Sequence, residues 1–508
     1  MKYDAIVIGG GLGGLTAGAR LAKAGLKVLL LEQNSTVGGC AATFKRKGFL
    51  MEAGLHEMDG LGEDDIKLKI FKEIGIWDKM KFVRVPEFYR LVSPHGDFVM
   101  PDNAAEAERL LIEKFPSERE GIRKFFRVMM NMTKWMGMMP TQPLKFMLVF
   151  PFIFPFMLYH VFRFKNKNVG DFVDSLTKDE WLKLILLANS GYYHDDPYEL
   201  GMIYFCVAQG SYFTGGGHFI KGGSKELAEA MAEVITGNGG EVLTRHEATR
   251  IVVENGKATG VRYRKVSKTH QDAQEEIWAT ADHVVVNAPL PVVLNELMPG
   301  VADRKFTEKI AGMSLPGSAF SVYIGFRRPV KELGNRHYST FVQGAAINTI
   351  RDFAADAKSA DFATKSYVFV DYSQLDSALA PDGKGFGAIV AGDNFANWKN
   401  LSHEEYSRKK RECAETLIER LDKLVPGAKN GIEYYEAATP VTIKRFTRNP
   451  EGVFYGFAQT VGQGMMDRPM AVPGVSNVHV ASAWGMPGGG FSGAIFGGYF
   501  ASARILGK

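Results

Sequence analysis

Three glycines, Gly9, Gly11 and Gly14, stand at G-x-G-x-x-G spacing in "YDAIVIGGGLGGLTAGARLAKAGLKVLLLEQ", and Glu32 follows 18 residues after Gly14. Gly9 permits a tight turn, Gly11 lets the backbone approach a pyrophosphate, and Gly14 lets a helix pack closely on a sheet. Gly13, inside the same turn, joins this cofactor-binding set. Glu32 is placed to accept hydrogen bonds from both ribose hydroxyls of an adenosine and to repel a 2′-phosphate. A lone glycine fingerprint is weak. It gains force when a strand precedes it, a helix follows and an acid closes the next strand. Those elements are legible here: apolar strands at 4–8 and 27–31 enclose an Ala- and Leu-rich helix whose N-terminal amides face the phosphates.

A second glycine pair, Gly38–Gly39, follows in "QNSTVGGCAATFKRKGF". It resembles the GG motif that extends the dinucleotide fold in flavoproteins of the amine oxidase and phytoene desaturase superfamily. A backbone nest there could lie along a diphosphate or a flavin. The last block, "NVHVASAWGMPGGGFSGAIFGGYFAS", predicts a strand at 477–482, a glycine turn at Gly488, Gly489 and Gly490, then Phe491 and a small-residue helix from about Ser492. Such a helix N-terminus stabilises the partly negative edge of a flavin. The cofactor expected is FAD.

Together these blocks resemble the family of phytoene desaturases, carotenoid isomerases and retinol saturases. "GGCAATFKRKGFLMEAGLHEM" looks like the retinol saturase version of the GG motif. "GGGHFIKGGSKELAEAMAEVITGNGGEVLTRHEATRIVVENGKATGVRY" and "ADHVVVNAPLPVVLNELMP" are similar to later family blocks. The resemblance implies an α/β fold: a discontinuous Rossmann-like FAD-binding domain of the glutathione reductase and amine oxidase type, beside a mixed-sheet α+β substrate domain. It assigns residues 1–70, 215–300 and 450–508 to the first and 71–214 and 301–449 to the second. Helix 224–237 leads back to the FAD domain, where the backbone at Ala248 would meet the adenine. The stretches 318–326 and 453–461 read as alternating strands of the substrate domain.

No nucleophile triad or metal cluster is evident, so the flavin carries the chemistry. His56, with neighbouring Glu57, is the best proton donor or acceptor, since the family's chain passes the flavin there; a structural histidine beneath the ring is the other reading. His218 ranks lower. Cys40 is a redox thiol or, better, a small packed side chain. Tyr212 and Phe213 are expected to line the channel. The resemblance implies an oxidoreductase acting on C=C bonds of a long hydrophobic isoprenoid, polyene or related lipid, with saturation favoured and desaturation or redox-neutral cis–trans isomerisation open. An FAD amine oxidase, or a non-catalytic lipid-binding escort, are the readings from other classes. No second G-x-G-x-x-G is recognised for a nicotinamide. Unless the enzyme is an isomerase, electrons pass to or from an external carrier: a quinone, ferredoxin or transient NAD(P)H.

The 508 residues suggest two or three domains, and a net charge of +5 does not suggest a nucleic-acid partner. Three scattered cysteines fit a reducing compartment, and the first residues lack a signal-peptide pattern, so a cytoplasmic, peripheral membrane protein is expected. The membrane expectation rests on "LKFMLVFPFIFPFMLYHVF" at 144–162, with Pro151 and Pro155 inside it. Between Gly121 and Gly170 there are eight Lys or Arg and no Asp or Glu. The prolines would break a spanning helix, so 121–168 is expected to dip into one leaflet as a monotopic anchor; an apolar lining of the substrate domain or a dimer interface, and a true span, are the other readings.

Overall fold

The computed structural model describes residues 2–137, 152, 154, 155, 159, 161–266 and 275–507. Most of the apolar run 144–162 lies outside the described residues.

Strand Lys2–Ile8 pairs in parallel with Val28–Glu32 on one side and Ile277–Val286 on the other, setting Ile8 beside Leu31 and Val286. Glu241–Thr244 adds in parallel beyond Val28–Glu32, and Val478–Val480 in parallel beside Ile277–Val286. Lys257–Lys265 and His246–Glu254 complete seven strands by antiparallel pairing. Every residue of Val28–Glu32 is buried, as expected of a parallel strand covered on both faces. Helix Leu12–Lys23 and helix Ser224–Gly237 lie against this sheet with the C-terminal helix Gly490–Ile505. The first helix is buried at every position from Leu12 to Ala22, and its glycines allow the tight approach. A methyl on Gly13 would fall 1.7 Å from the Ala481 carbonyl oxygen, and one on Gly498 would fall 2.1 Å from that of Gly13.

A second seven-stranded sheet runs in the order Ile432–Ala438, Ser318–Phe326, Gly385–Asp393, Tyr367–Asp371, Ser339–Val342, Tyr89–Ser93, Gly96–Met100. It is antiparallel except where Ser339–Val342 meets Tyr89–Ser93. Ser318–Phe326 is a strand, but all nine of its residues are buried, so the expected alternation reflects a two-sided core rather than a half-exposed face. Residues 453–461 are not a strand. Their backbone turns at Gly456 (φ +73°), and the Phe457 and Ala458 carbonyls accept hydrogen bonds from buried Arg468 instead of a neighbouring strand. Helix His403–Leu424 covers the second sheet and starts from a capping box, Ser402 with Glu405. A small sheet of Met58–Asp59, Gly217–Ile220 and Phe82–Arg84 takes strands from both sides of the boundaries drawn at 70 and 214.

Helix Arg119–Gly137 buries Ile122, Phe125, Phe126, Met129 and Met132 against helix Met202–Gly215, and Thr133 Oγ1 donates to the Cys206 carbonyl at 2.8 Å. Its cationic face is less free than the anion-poor sequence implies, because Arg123 meets Glu120 at 3.3 Å and Glu108 at 3.9 Å.

Candidate functional site

The two N-terminal glycine turns pack on each other. Gly9 adopts φ +99° and its N–H donates to the Leu31 carbonyl at 2.8 Å; Gly38 N–H donates to the Gly10 carbonyl at 2.7 Å. Gly38 and Gly39 both have positive φ, and a methyl on Gly39 would lie 3.2 Å from Gly11 Cα. Glu32 is buried at the end of its strand. Its Oε2 accepts from Gly10 N–H at 2.8 Å, while Oε1 accepts from the Asn34 backbone and side-chain amides at 2.7 and 2.9 Å. Burial raises its carboxyl and these hydrogen bonds partly offset the rise. Both carboxylate oxygens of Glu32 are thus already engaged by amides of the chain.

Gly9, Gly11, Glu32, Gly38, Gly39, Ala248, Gly489, Gly490, Phe491 and Ser492 all line one cavity of about 2930 Å³. Gly13 and Gly14 do not line it: their missing side chains serve the packing of the first helix, since a methyl on Gly14 would lie 2.2 Å from the Gly9 carbonyl. Ordinary ligand pockets reach about 1,000 Å³, so this volume takes a dinucleotide and a long second ligand. Gly488, Gly490 and Gly493 repeat the G-x-G-x-x-G spacing, so the chain does hold a second such turn, with Gly490 and Gly493 on the cavity wall. This turn lines the same cavity as the first. The turn is held by Tyr204, whose hydroxyl donates to the Gly489 carbonyl at 3.3 Å, and by Ser492, whose hydroxyl donates to Asp59. Asp59 and Asp65 flank buried Lys67 at 3.1 and 3.0 Å. Burial opposes the charge on Lys67, and its two carboxylates outweigh that and raise it.

His56 and Glu57 also line the cavity. Their loop is gripped by tyrosine hydroxyls from four places. Tyr323 donates to the Ala53 carbonyl at 3.2 Å, Tyr372 to Leu55 at 2.7 Å, Tyr338 to His56, and Tyr212 to Glu57 at 3.4 Å. From below, buried Glu52 accepts from Gly54 and Leu55 N–H, Thr43 Oγ1, and both N–H and Oγ of Ser224. The loop thus joins both sheets and cannot shift without breaking several buried bonds. Of these residues only Tyr212 is singled out in the sequence; Glu52, Tyr323, Tyr338 and Tyr372 are not. For Glu52 a signal exists, a lone acid inside the apolar run "FLMEAGL"; Lys67 likewise falls on the face of Ile70, Phe71 and Ile74.

Half-buried His56 is pushed down to about 4 by burial, so it is neutral at pH 7. Its Nδ1 lies 3.1 Å from the Tyr192 hydroxyl. Glu57 is 8% exposed, and burial pushes its carboxyl up to about 8, so it is mainly protonated at pH 7. Neither carboxyl oxygen has a hydrogen-bond partner among the described residues, although Tyr192 is close enough for the two groups to shift each other. Tyr192, 136 residues away in sequence, left no local signal. Cys40 lines the cavity with its thiol pushed up to about 11 by burial, so it is a packed side chain and not a thiolate. Tyr212 lines the cavity, stacked on Phe88 at 4.6 Å; Phe213 does not, because it packs edge-on to Phe88 and Phe126 in the helical core. His218 sits in the small three-stranded sheet, off the cavity wall.

A family model described as flavin-containing amine oxidoreductase matches residues 12–506. Prolycopene isomerase 1 of an Oncidium hybrid cultivar is 26% identical over 526 residues, covering 99% of this chain and 84% of that protein. All-trans-retinol 13,14-reductase of Danio rerio is 26% identical over 481 residues, covering 89% and 77%. Among solved structures, an oxidoreductase from Methanosarcina mazei superposes with TM-score 0.66 at 19% identity, and putrescine oxidase bound to putrescine with 0.63 at 16%; each alignment covers 100% of both chains. These structures share the fold of this chain.

Proposed function

Because the chain belongs to the flavin-containing amine oxidoreductase family and is a flavin-dependent oxidoreductase, we propose that it binds FAD and saturates a carbon–carbon double bond of a long isoprenoid polyene or related lipid. One observation carries this reading. A single cavity runs from the glycine turns and Glu32, past His56 and Glu57, to a wall of Leu91, Met130, Met136, Tyr193, Phe341 and Val368. Turns fit for a pyrophosphate and for an isoalloxazine line that one space, which favours FAD over a smaller flavin. The apolar wall fits a hydrocarbon chain, and the matched relatives are named for retinol and prolycopene.

When bound, the flavin supplies hydride chemistry. The protein supplies the proton and excludes water. In this relay Tyr192 donates to His56 Nδ1, 3.1 Å away, and the tautomer that carries its proton on Nε2 is the one that acts. As Nε2 gives its proton to the alkene carbon, Nδ1 takes the Tyr192 proton and Tyr192 is refilled from Glu57. The substrate gains one proton, Glu57 loses one, and His56 ends neutral in the other tautomer. A neutral imidazole therefore serves as the donor without first becoming imidazolium. Two electrons come from an external carrier, a reduced quinone, a ferredoxin or a transiently bound NAD(P)H.

A second reading, redox-neutral cis–trans isomerisation, is favoured by the match to a prolycopene isomerase across 99% of the chain. Incubating polyenes anaerobically with the reduced holoenzyme separates the two: saturation makes the product two hydrogens heavier, whereas isomerisation leaves the mass unchanged and moves the retention time.

Such a substrate leaves a bilayer, and we place the membrane contact at 121–168. Phe152, Tyr159 and Phe162 are 77%, 56% and 63% exposed, with Arg163 and Lys165 beside them. The last turn of helix Arg119–Gly137 lines the cavity immediately before the apolar run. Among the described residues no helix is long and apolar enough to cross a membrane.

A further inference from the structure

We propose that the cavity wall formed by Asp195, Gln343 and Asp356 is a subsite for a hydroxyl group at one end of the polyene. This rests on the polyene reading above and narrows it to an alcohol. All three residues line the cavity among apolar neighbours such as Ile347, Phe353 and Val368. Gln343 is 8% exposed, and its Oε1 has no hydrogen-bond partner among the described residues. Asp195 Oδ2 accepts from Gly317 N–H at 3.1 Å, leaving Oδ1 open. Asp356 accepts from Ser366 N–H at 3.2 and 3.0 Å, and it sits against the residue after Gln343, where a methyl on Gly344 would lie 2.5 Å from its Oδ1.

Lys365, one of the cations near these acids, cannot fill the acceptors. Lys365 is buried behind the wall and interacts with both Asp195 and Asp356, but its ammonium donates to the Ala357 carbonyl at 3.1 Å, the Ser359 carbonyl at 2.7 Å and the Gly392 carbonyl. Its three N–H groups are thus used. The wall offers a ligand acceptors on Asp195 and Gln343, and one hydroxyl proton on Ser366, whose Oγ already accepts from Gly344 N–H at 2.8 Å. An alcohol matches this set, donating to the acceptors and accepting from Ser366. A hydrocarbon end would leave buried polar groups unpaired. An ammonium, drawn by the two carboxylates and opposed by Lys365 behind them, is the competing occupant.

The test compares a polyene alcohol with its methyl ether of equal chain length, using the wild-type holoenzyme. The alcohol should have a kcat/KM about tenfold higher, carried by KM, as expected for one well-placed hydrogen bond to a buried group. The Gln343→Leu variant, with flavin content unchanged, should bring the alcohol down to the level of the ether. If alcohol and ether agree within about twofold in the wild type, the subsite is refuted while the polyene reading stands. An amine-terminated analogue that outcompetes the alcohol also refutes it. If neither polyene is bound or turned over, both readings fall together.

Discussion

Glu57 is the residue on which the chemistry turns, because it is both buried and without a fixed hydrogen-bond partner among the described residues. A carboxyl held up to about 8 is an acid at neutral pH and loses that role above it. The rate of reduction, measured as kcat against pH, should therefore fall as pH rises through about 8. Glu57→Gln should abolish this limb and cost roughly 10²- to 10⁴-fold in kcat, with flavin content unchanged. Tyr192→Phe should cut the same relay at its middle, slowing turnover with little change in KM. At this scale the sequence yields residue types but not partnerships. His56 and Glu57 are legible because a motif carries them, while Tyr192 is not, because only the fold brings it to 3.1 Å from His56.

At the scale of elements, the glycines separate into two kinds. Gly9, Gly38 and Gly39 keep their positive φ and face the cavity, whereas Gly13 and Gly14 are required by helix packing. Gly13→Ala would force a methyl against the Ala481 carbonyl and should destabilise the protein by about 2 kcal/mol or more, read by chemical denaturation. The motif spacing alone cannot distinguish these roles, since pyrophosphate approach and close packing both select glycine. The loop 53–57 is a similar case. Removing the Glu52 carboxylate leaves five donors, three of them buried, without their acceptor, so Glu52→Ala should cost on the order of 3–5 kcal/mol and release flavin as the loop loosens. The parallel strands near 4–8 and 27–31 are readable as apolar runs, whereas the long helices Arg119–Gly137 and His403–Leu424 are not singled out in the sequence. Residues 453–461 misled because Phe457 packs edge-on against Trp484 and its carbonyl accepts from buried Arg468 rather than from a neighbouring strand.

Across the whole molecule, two opposing titrations set the pH range of stability. Burial holds His56 near 4, and burial with the neighbouring charges of His283 and Arg504 does the same for His479. The unfolded chain takes up protons at these histidines below about 6.5 while the folded chain does not, so stability falls as pH drops from about 6.5 toward 4. Glu57 acts in the other direction. Its contribution is complete below the ordinary carboxyl range and is lost as pH rises toward 8. The melting temperature should peak near about pH 6, and Glu57→Gln should flatten the alkaline side alone. The basic and apolar segment is expected to act at this scale too. Replacing Phe152 and Phe162 with serine should reduce co-sedimentation with anionic vesicles, and salt should weaken the remainder.

The most direct measurement is mass spectrometry of a long polyene incubated without oxygen with the photoreduced holoenzyme. The account predicts a product two hydrogens heavier, formed in proportion to flavin oxidised, and its loss in the Glu57→Gln variant. An unchanged polyene, or an isomer of unchanged mass formed while the flavin stays reduced, would contradict it.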